Sequence, residues 1–180
     1  MDNSTSMLRY RKESRDILLA LAYLVKRHDP NGIDLLFTQS SRKVVNTKKS
    51  QKFMEEFDRV DFQGTTAMSN VLDKILRDYR LKITESRRFF GRVKLAIKPQ
   101  ASIRPLSLYI LTDGDWQPDY KVAGPIGDMV DFMTEHKNEL LRNQVAIQFI
   151  RFGENEAAMK HLDHLDDRMN LKLYGPLSDT

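Results

Sequence analysis

The sequence predicts a doubly wound α/β domain, and three observations carry that prediction. Helical and strand signals alternate along the chain. Residues 106–111 and 145–152 are nearly all apolar, as strands covered on both faces of a parallel sheet are. The length of 180 residues is enough for one full core and too short for two. Strands that alternate with helices are joined by right-handed crossovers, which puts helices on both faces of a mostly parallel sheet. Residues 1–180 are therefore expected to form one domain of that class.

Residues 8–28 read as a helix: Ile17, Leu21, Leu24 and Val25 share a face, and Asp29-Pro30-Asn31-Gly32 stops it. The run 33–37 is a strand by its apolar density and short length, and a weaker strand with Val44 and Val45 follows at 43–47. A short helix over 50–59 carries Phe53, Met54 and Phe57. After a polar turn, Met68, Val71, Leu72, Ile75, Leu76 and Tyr79 make an i, i+3, i+4 stripe. Residues 82–105 have no sustained period and contain Gly91, Pro99 and Pro105, so they read as a long surface loop with a strand-like piece at 93–97. The buried strand at 106–111 comes next. Ile126, Met129, Val130 and Met133 then open a helix that runs to residue 142. The second buried strand, 145–152, is closed by Gly153. Ala158, Leu162, Leu165 and Met169 define the last helix, and 171–174 a last short strand.

Composition narrows the function. Apolar residues make up 41% and charged residues 30%, which is ordinary for a soluble globular chain. The longest uncharged stretch, 62–72, is too short and too polar to span a bilayer. With no cysteine, the chain has no disulfide scaffold, thiolate zinc site or cysteine nucleophile, and a reducing compartment is favoured. No cationic-then-apolar leader opens it. The charge is uneven: between Lys82 and Pro105 stand Lys82, Arg87, Arg88, Arg92, Lys94, Lys98 and Arg104 against Glu85 alone. That segment carries +6 in a chain of net +4, so the basic character belongs to one segment and not to the domain.

In a doubly wound sheet, ligands bind beyond the carboxyl ends of the strands. Three polar clusters follow a strand candidate or open a helix: Asp2-Asn3-Ser4-Thr5-Ser6, Gly64-Thr65-Thr66, and Thr112-Asp113-Gly114-Asp115. Each alone reads as a helix cap or turn. Together they offer carboxylates and hydroxyls without His or Cys, a donor set for a hard cation such as magnesium. Asp2 and Asp113 would just neutralise a divalent ion and leave it electrophilic towards an incoming anionic oxygen.

The pattern Asp2-x-Ser4-x-Ser6, then Gly64-Thr65, then Thr112-Asp113-Gly114 resembles the metal-ion-dependent adhesion site of von Willebrand factor type A domains, over 2–174. The resemblance implies a Rossmann-like fold whose three loops hold Mg2+, Mn2+ or Ca2+. It implies that Ser4 and Ser6 ligate the metal directly and Thr65 directly or through water. Asp2 and Asp113 would act mainly through waters or hydrogen bonds. It further implies a protein partner whose Asp or Glu takes the open coordination position. The likeness is to the stand-alone intracellular type, cytoplasmic or nuclear, and the expected state is a monomer. Gln63 stands where the family often has a glycine, which makes Thr66 the fallback ligand. The family's first, central strand precedes the first motif, whereas only Met1 does so here. A fragment, a start assigned at an internal methionine, and a gap in the sheet are the three accounts of that difference.

Other readings are weaker. His161, Asp163, His164, Asp166 and Asp167 fit no zincin spacing and read as the polar side of a helix. Asp113, Asp115 and Asp119 begin like an EF-hand loop, but Pro118 and Gly124 occupy its required glycine and glutamate positions. Phosphate-binding, dinucleotide and hydrolase-elbow motifs are absent. A magnesium phosphotransferase using Asp2 would need a second carboxylate where Ser4 stands, so no enzyme is expected. The alternative class is nucleic-acid or acidic-partner binding by 82–105, with Phe89 and Phe90 as stacking groups. A solvated loop is the expectation there.

Overall fold

A computed structural model describes residues 1–25, 32–92, 103–116, 122–137, 140, 141 and 143–173, and the side chains of 87–92, 164 and 166–173 lie outside that description. The described chain is mixed α/β: a 3-10 turn at Ser6–Tyr10, then α1 (Arg11–Val25), β1 (Ile33–Leu36), β2 (Lys43–Thr47), α2 (Ser50–Asp58), α3 (Met68–Arg92), β3 (Leu106–Thr112), α4 (Ala123–Glu135), β4 (Val145–Arg151) and α5 (Glu156–Leu173). Two two-stranded sheets form among the described residues, β1 with β2 and β3 with β4.

The first pair departs from the expected mostly parallel sheet. β1 and β2 are antiparallel, with Ile33 opposite Thr47 and Leu36 opposite Lys43. Only residues 37–42 join them, and a parallel connection needs a dozen or more. β3 and β4 are the parallel pair. Leu106 N–H donates to the Gln144 carbonyl at one end, and Phe152 N–H to the Thr112 carbonyl at the other. β3 is buried over Ile110, Leu111 and Thr112, but Ser107 and Tyr109 are exposed, so burial on both faces holds only for its carboxyl-terminal half.

Two further departures are extensions of helices. Residues 82–92, read as loop, continue α3, because the buried stripe Met68, Leu72, Leu76, Tyr79 runs on to Ile83, which is 2% exposed. The intervening Arg, Lys and Glu are good helix formers, and charge alone does not end a helix. The strand-like piece at 93–97 lies outside the described residues. Residues 171–173, read as strand, complete α5, since no Gly or Pro interrupts the chain between Glu156 and Leu173. In α1 the buried line is Ser14, Leu18 and Ala22, with Ile17 and Leu21 partly buried and Leu24 exposed. The inward face is thus turned from the one expected.

The chain divides into two compact units. The first comprises residues 1–68, 109–116 and 149–162 of the described chain. Its core gathers Met7, Leu18, Leu35, Phe37, Phe53, Phe57, Val60, Leu111 and Phe152 around α2, whose Phe57 is fully buried and meets Phe62 edge-on. The backbone at Met1 and Asp2 stands between the ends of β1 and β3. Met1 donates to the Leu36 carbonyl and accepts from Thr38 N–H, while Asp2 N–H donates to the Leu111 carbonyl.

The second unit takes the described residues of 69–108, 122–148 and 163–173. There α3 buries Leu72, Leu76 and Ile83, and α4 buries Ile126, Met129, Val130 and Met133, as the periodicity predicts. A polar knot fixes the approach to β3. The Tyr79 hydroxyl donates to the Arg104 carbonyl at 2.6 Å, and Gln144 Nε2 donates to the Tyr79 oxygen at 2.6 Å and to the Ile103 carbonyl at 2.8 Å. Tyr79 is 7% exposed, so each of these bonds replaces water that cannot enter. Tyr79→Phe is expected to lower unfolding free energy by about 1–3 kcal/mol, seen as a lower urea midpoint with an unchanged m-value.

Candidate metal centre

The three polar clusters converge in the first unit, and the carboxylate of Asp2 is where they meet. Asp2 is fully buried. Its Oδ1 accepts from Ser4 N–H at 3.0 Å and from the Thr66 hydroxyl at 2.5 Å, and the Thr38 hydroxyl, 3.5 Å away, shares its one proton with the nearer Asn3 Oδ1 at 3.3 Å. Its Oδ2 accepts from the Thr112 hydroxyl at 2.7 Å. A carboxylate has about four lone-pair sites. Oδ1 is filled, and Oδ2 keeps capacity for one more donor.

The neighbouring residue pins the first loop. Asn3, 1% exposed, donates from Nδ2 to the Asp61 carbonyl at 2.9 Å and accepts at Oδ1 from Gln39 N–H at 2.8 Å. Thr5 N–H reaches the Gly64 carbonyl at 3.0 Å, and Gln63 N–H reaches the Asn3 carbonyl at 2.9 Å. The first two clusters are therefore tied backbone to backbone. The third turns at Gly114, whose φ is +78°, where a Cβ would stand 2.9 Å from that of Ala158 on α5. Only glycine suits that backbone and that approach.

The serines and Asp113 complete the set. The Ser4 and Ser6 hydroxyl oxygens lie 3.0 Å apart. That is a hydrogen-bond distance, and it also matches adjacent corners of a magnesium octahedron, about 2.9 Å for metal–oxygen bonds of ~2.05 Å. Asp113 is 2% exposed; the Asp115 N–H bonds its Oδ1 at 3.2 Å, and its buried Oδ2 has no hydrogen-bond partner. Burial pushes the Asp113 carboxyl above the usual carboxylate range, the Ser6 hydroxyl and Asp115 N–H act against that, and the charges of Asp2 and Asp115 add to it. A buried carboxyl oxygen with no hydrogen-bond partner, on a side chain that the Ser6 hydroxyl faces, is what a hard cation would satisfy. Among the described residues no three His, Cys, Asp or Glu side chains converge, so an ion here would rest on carboxylate and hydroxyl oxygens together.

Asp2, Ser4, Ser6 and Asp113 are thus all in the cluster. Thr65 is placed differently. It is exposed, its carbonyl accepts from Gln39 Nε2, and it is Thr66, the fallback, whose hydroxyl reaches Asp2. Thr112 stood in the third cluster without a ligand role, and Thr38 was in none of the three clusters, although it directly follows a strand candidate and answers the same strand-end rule. The Met1 ammonium is buried beside this carboxylate. Burial lowers its pKa to about 6, against the opposing pull of Asp2.

No family model matches the chain, and comparison with curated proteins and with solved structures finds no match either.

A carboxyl with a raised folded pKa holds its proton more readily folded than unfolded. It costs nothing in acid and destabilises as pH rises through the folded value. Asp113→Asn removes that charge. In metal-free buffer the variant is expected to melt higher than the parent at pH 7, by about 2–4 °C for each ~1 kcal/mol relieved, with the gain vanishing near pH 3.5. Melting curves with EDTA at the two pH values check this.

Proposed function

We propose that this chain is a divalent-metal-dependent protein-interaction module of the von Willebrand factor type A kind, built on a Rossmann-like doubly wound sheet, and that it is not an enzyme. The observation that carries the reading is the contrast between two buried carboxylates. Asp2 is held by three close donors and acts as a brace, while Asp113, whose carboxyl the Ser6 hydroxyl faces, keeps a buried oxygen without a hydrogen-bond partner. Ser4, Ser6 and Asp113 would hold Mg2+ or Mn2+ directly, Asp2 would act through a metal-bound water on Oδ2, and Thr65 borders the site from its exposed turn. Direct ligation by Asp113 and the placing of Thr65 outside the ligand set are the two changes from the roles the resemblance implies.

The partner follows from charge. The carboxylates of Asp2 and Asp113 balance a divalent ion, so the centre stays electrophilic and takes an Asp or Glu of a partner protein. No helix among the described residues is long and apolar enough to cross a membrane.

Calorimetry with magnesium should show one site, and Ser4→Ala and Asp113→Ala should each weaken it at least about tenfold. Unchanged affinity in Asp113→Ala refutes the assignment. Partner capture should be lost in EDTA. Capture that persists in EDTA but fails in high salt transfers the function to the basic segment 82–105.

A further inference from the structure

Behind Asp2 lies a hydroxyl whose hydrogen-bond direction is forced. Thr112 Oγ1 receives Gly114 N–H at 3.0 Å and the indole Nε1–H of Trp116 at 2.8 Å. Both are groups that can only donate. A hydroxyl has two lone pairs and one proton, so with both pairs filled its proton has one destination: Oδ2 of Asp2, 2.7 Å away. The chain of bonds runs Trp116 to Thr112 to Asp2, each donor set by the one before it.

Trp116 is built to hold that position. It is the single tryptophan of the chain and is 3% exposed. Its ring lies 5.7 Å from Phe149 and meets His161 edge-on at 5.6 Å, and its backbone bridges to Thr66, which itself donates to Asp2. A buried indole N–H needs some acceptor. Here the acceptor is the hydroxyl already bonded to the brace of the candidate metal centre, so packing and site geometry are joined through one atom.

We propose that Trp116 is a positioning residue of this centre: its indole N–H orients the Thr112 hydroxyl, which fixes Asp2 Oδ2 and leaves that oxygen's remaining capacity for a metal-bound water. The inference rests on the metal reading above. Partners one layer behind metal ligands are typically worth 10–100-fold in affinity.

The test compares magnesium titrations of the full chain with those of Trp116→Phe, Thr112→Val, Thr112→Ser and the Trp116→Phe/Thr112→Val double variant. Phe and Val each break the chain of bonds and should weaken magnesium binding about tenfold or more. Thr112→Ser keeps the hydroxyl and should restore near-parental binding. The double variant should bind no more weakly than the worse single variant, because both act through one chain. In metal-free protein the single indole N–H resonance should move in Thr112→Val and stay in Thr112→Ser. Thr112→Val carries the test where Trp116→Phe melts below the titration temperature. Parental binding in Trp116→Phe, additive losses in the double variant, or an indole resonance indifferent to Thr112→Val overturns the proposal while the metal reading stands. A parent chain that takes up no magnesium overturns the metal reading, and this inference with it.

Discussion

One buried carboxyl group, that of Asp2, is the constraint on which the rest of the first unit depends. It is fully buried, and an unpaired buried charge would cost far more than a domain can supply. The chain meets that cost with donors from three places, the amide of Ser4 and the hydroxyls of Thr66 before α3 and Thr112 at the end of β3, with the Thr38 hydroxyl after β1 shared between Asp2 and Asn3. The demand of one side chain thereby draws three loops to one point. The tie is reinforced by Asn3, which anchors both the β1 exit and the 61–63 segment, and by the backbone bond from Thr5 to Gly64.

That arrangement separates two roles that composition alone cannot distinguish. Asp2 and Asp113 are both acidic and both buried. Donors surround the first; the second has one oxygen bonded to Asp115 N–H and the other with no partner. Environment decides which carboxylate braces and which is available, in the way that neighbours set the pKa of paired acids elsewhere. The raised pKa of Asp113 and the filled Oδ1 of Asp2 are two consequences of the same loop geometry.

Much of this was legible from residue types. The apolar stripe of α4, the aromatic face of α2 and the span of β2 follow from periodicity and strand propensity, and the structure places them as read. Asp2, Ser4, Ser6 and Asp113 were recognisable because oxygen donors recur at the ends of elements. What was hidden had physical causes. The continuation of α3 past Tyr79 was masked by charge, which marks a solvated face as readily as a loop, while the deciding residue, Ile83, is a single apolar position. The antiparallel β1–β2 pair follows from the short connection and not from strand composition. Which of Thr65 and Thr66 turns inward depends on the loop's backbone after Gly64, which residue identity does not specify.

The bonds to Asp2 also bear on the order in which the chain acquires its structure. Its partners Thr38, Thr66 and Thr112 lie 36, 64 and 110 residues away along the sequence. Closing loops of such length is an entropic loss that local contacts cannot offset early, so contacts of this range form late and slow the search. Helices such as α3 and α4 can condense from neighbours in sequence, but the carboxylate finds its hydroxyls only once β1, β3 and the turn before α3 are already together. The polar centre is therefore a product of folding and not its nucleus. Its amide protons, those of Ser4 and Gly114 included, should be shielded from solvent only in molecules that have completed the fold.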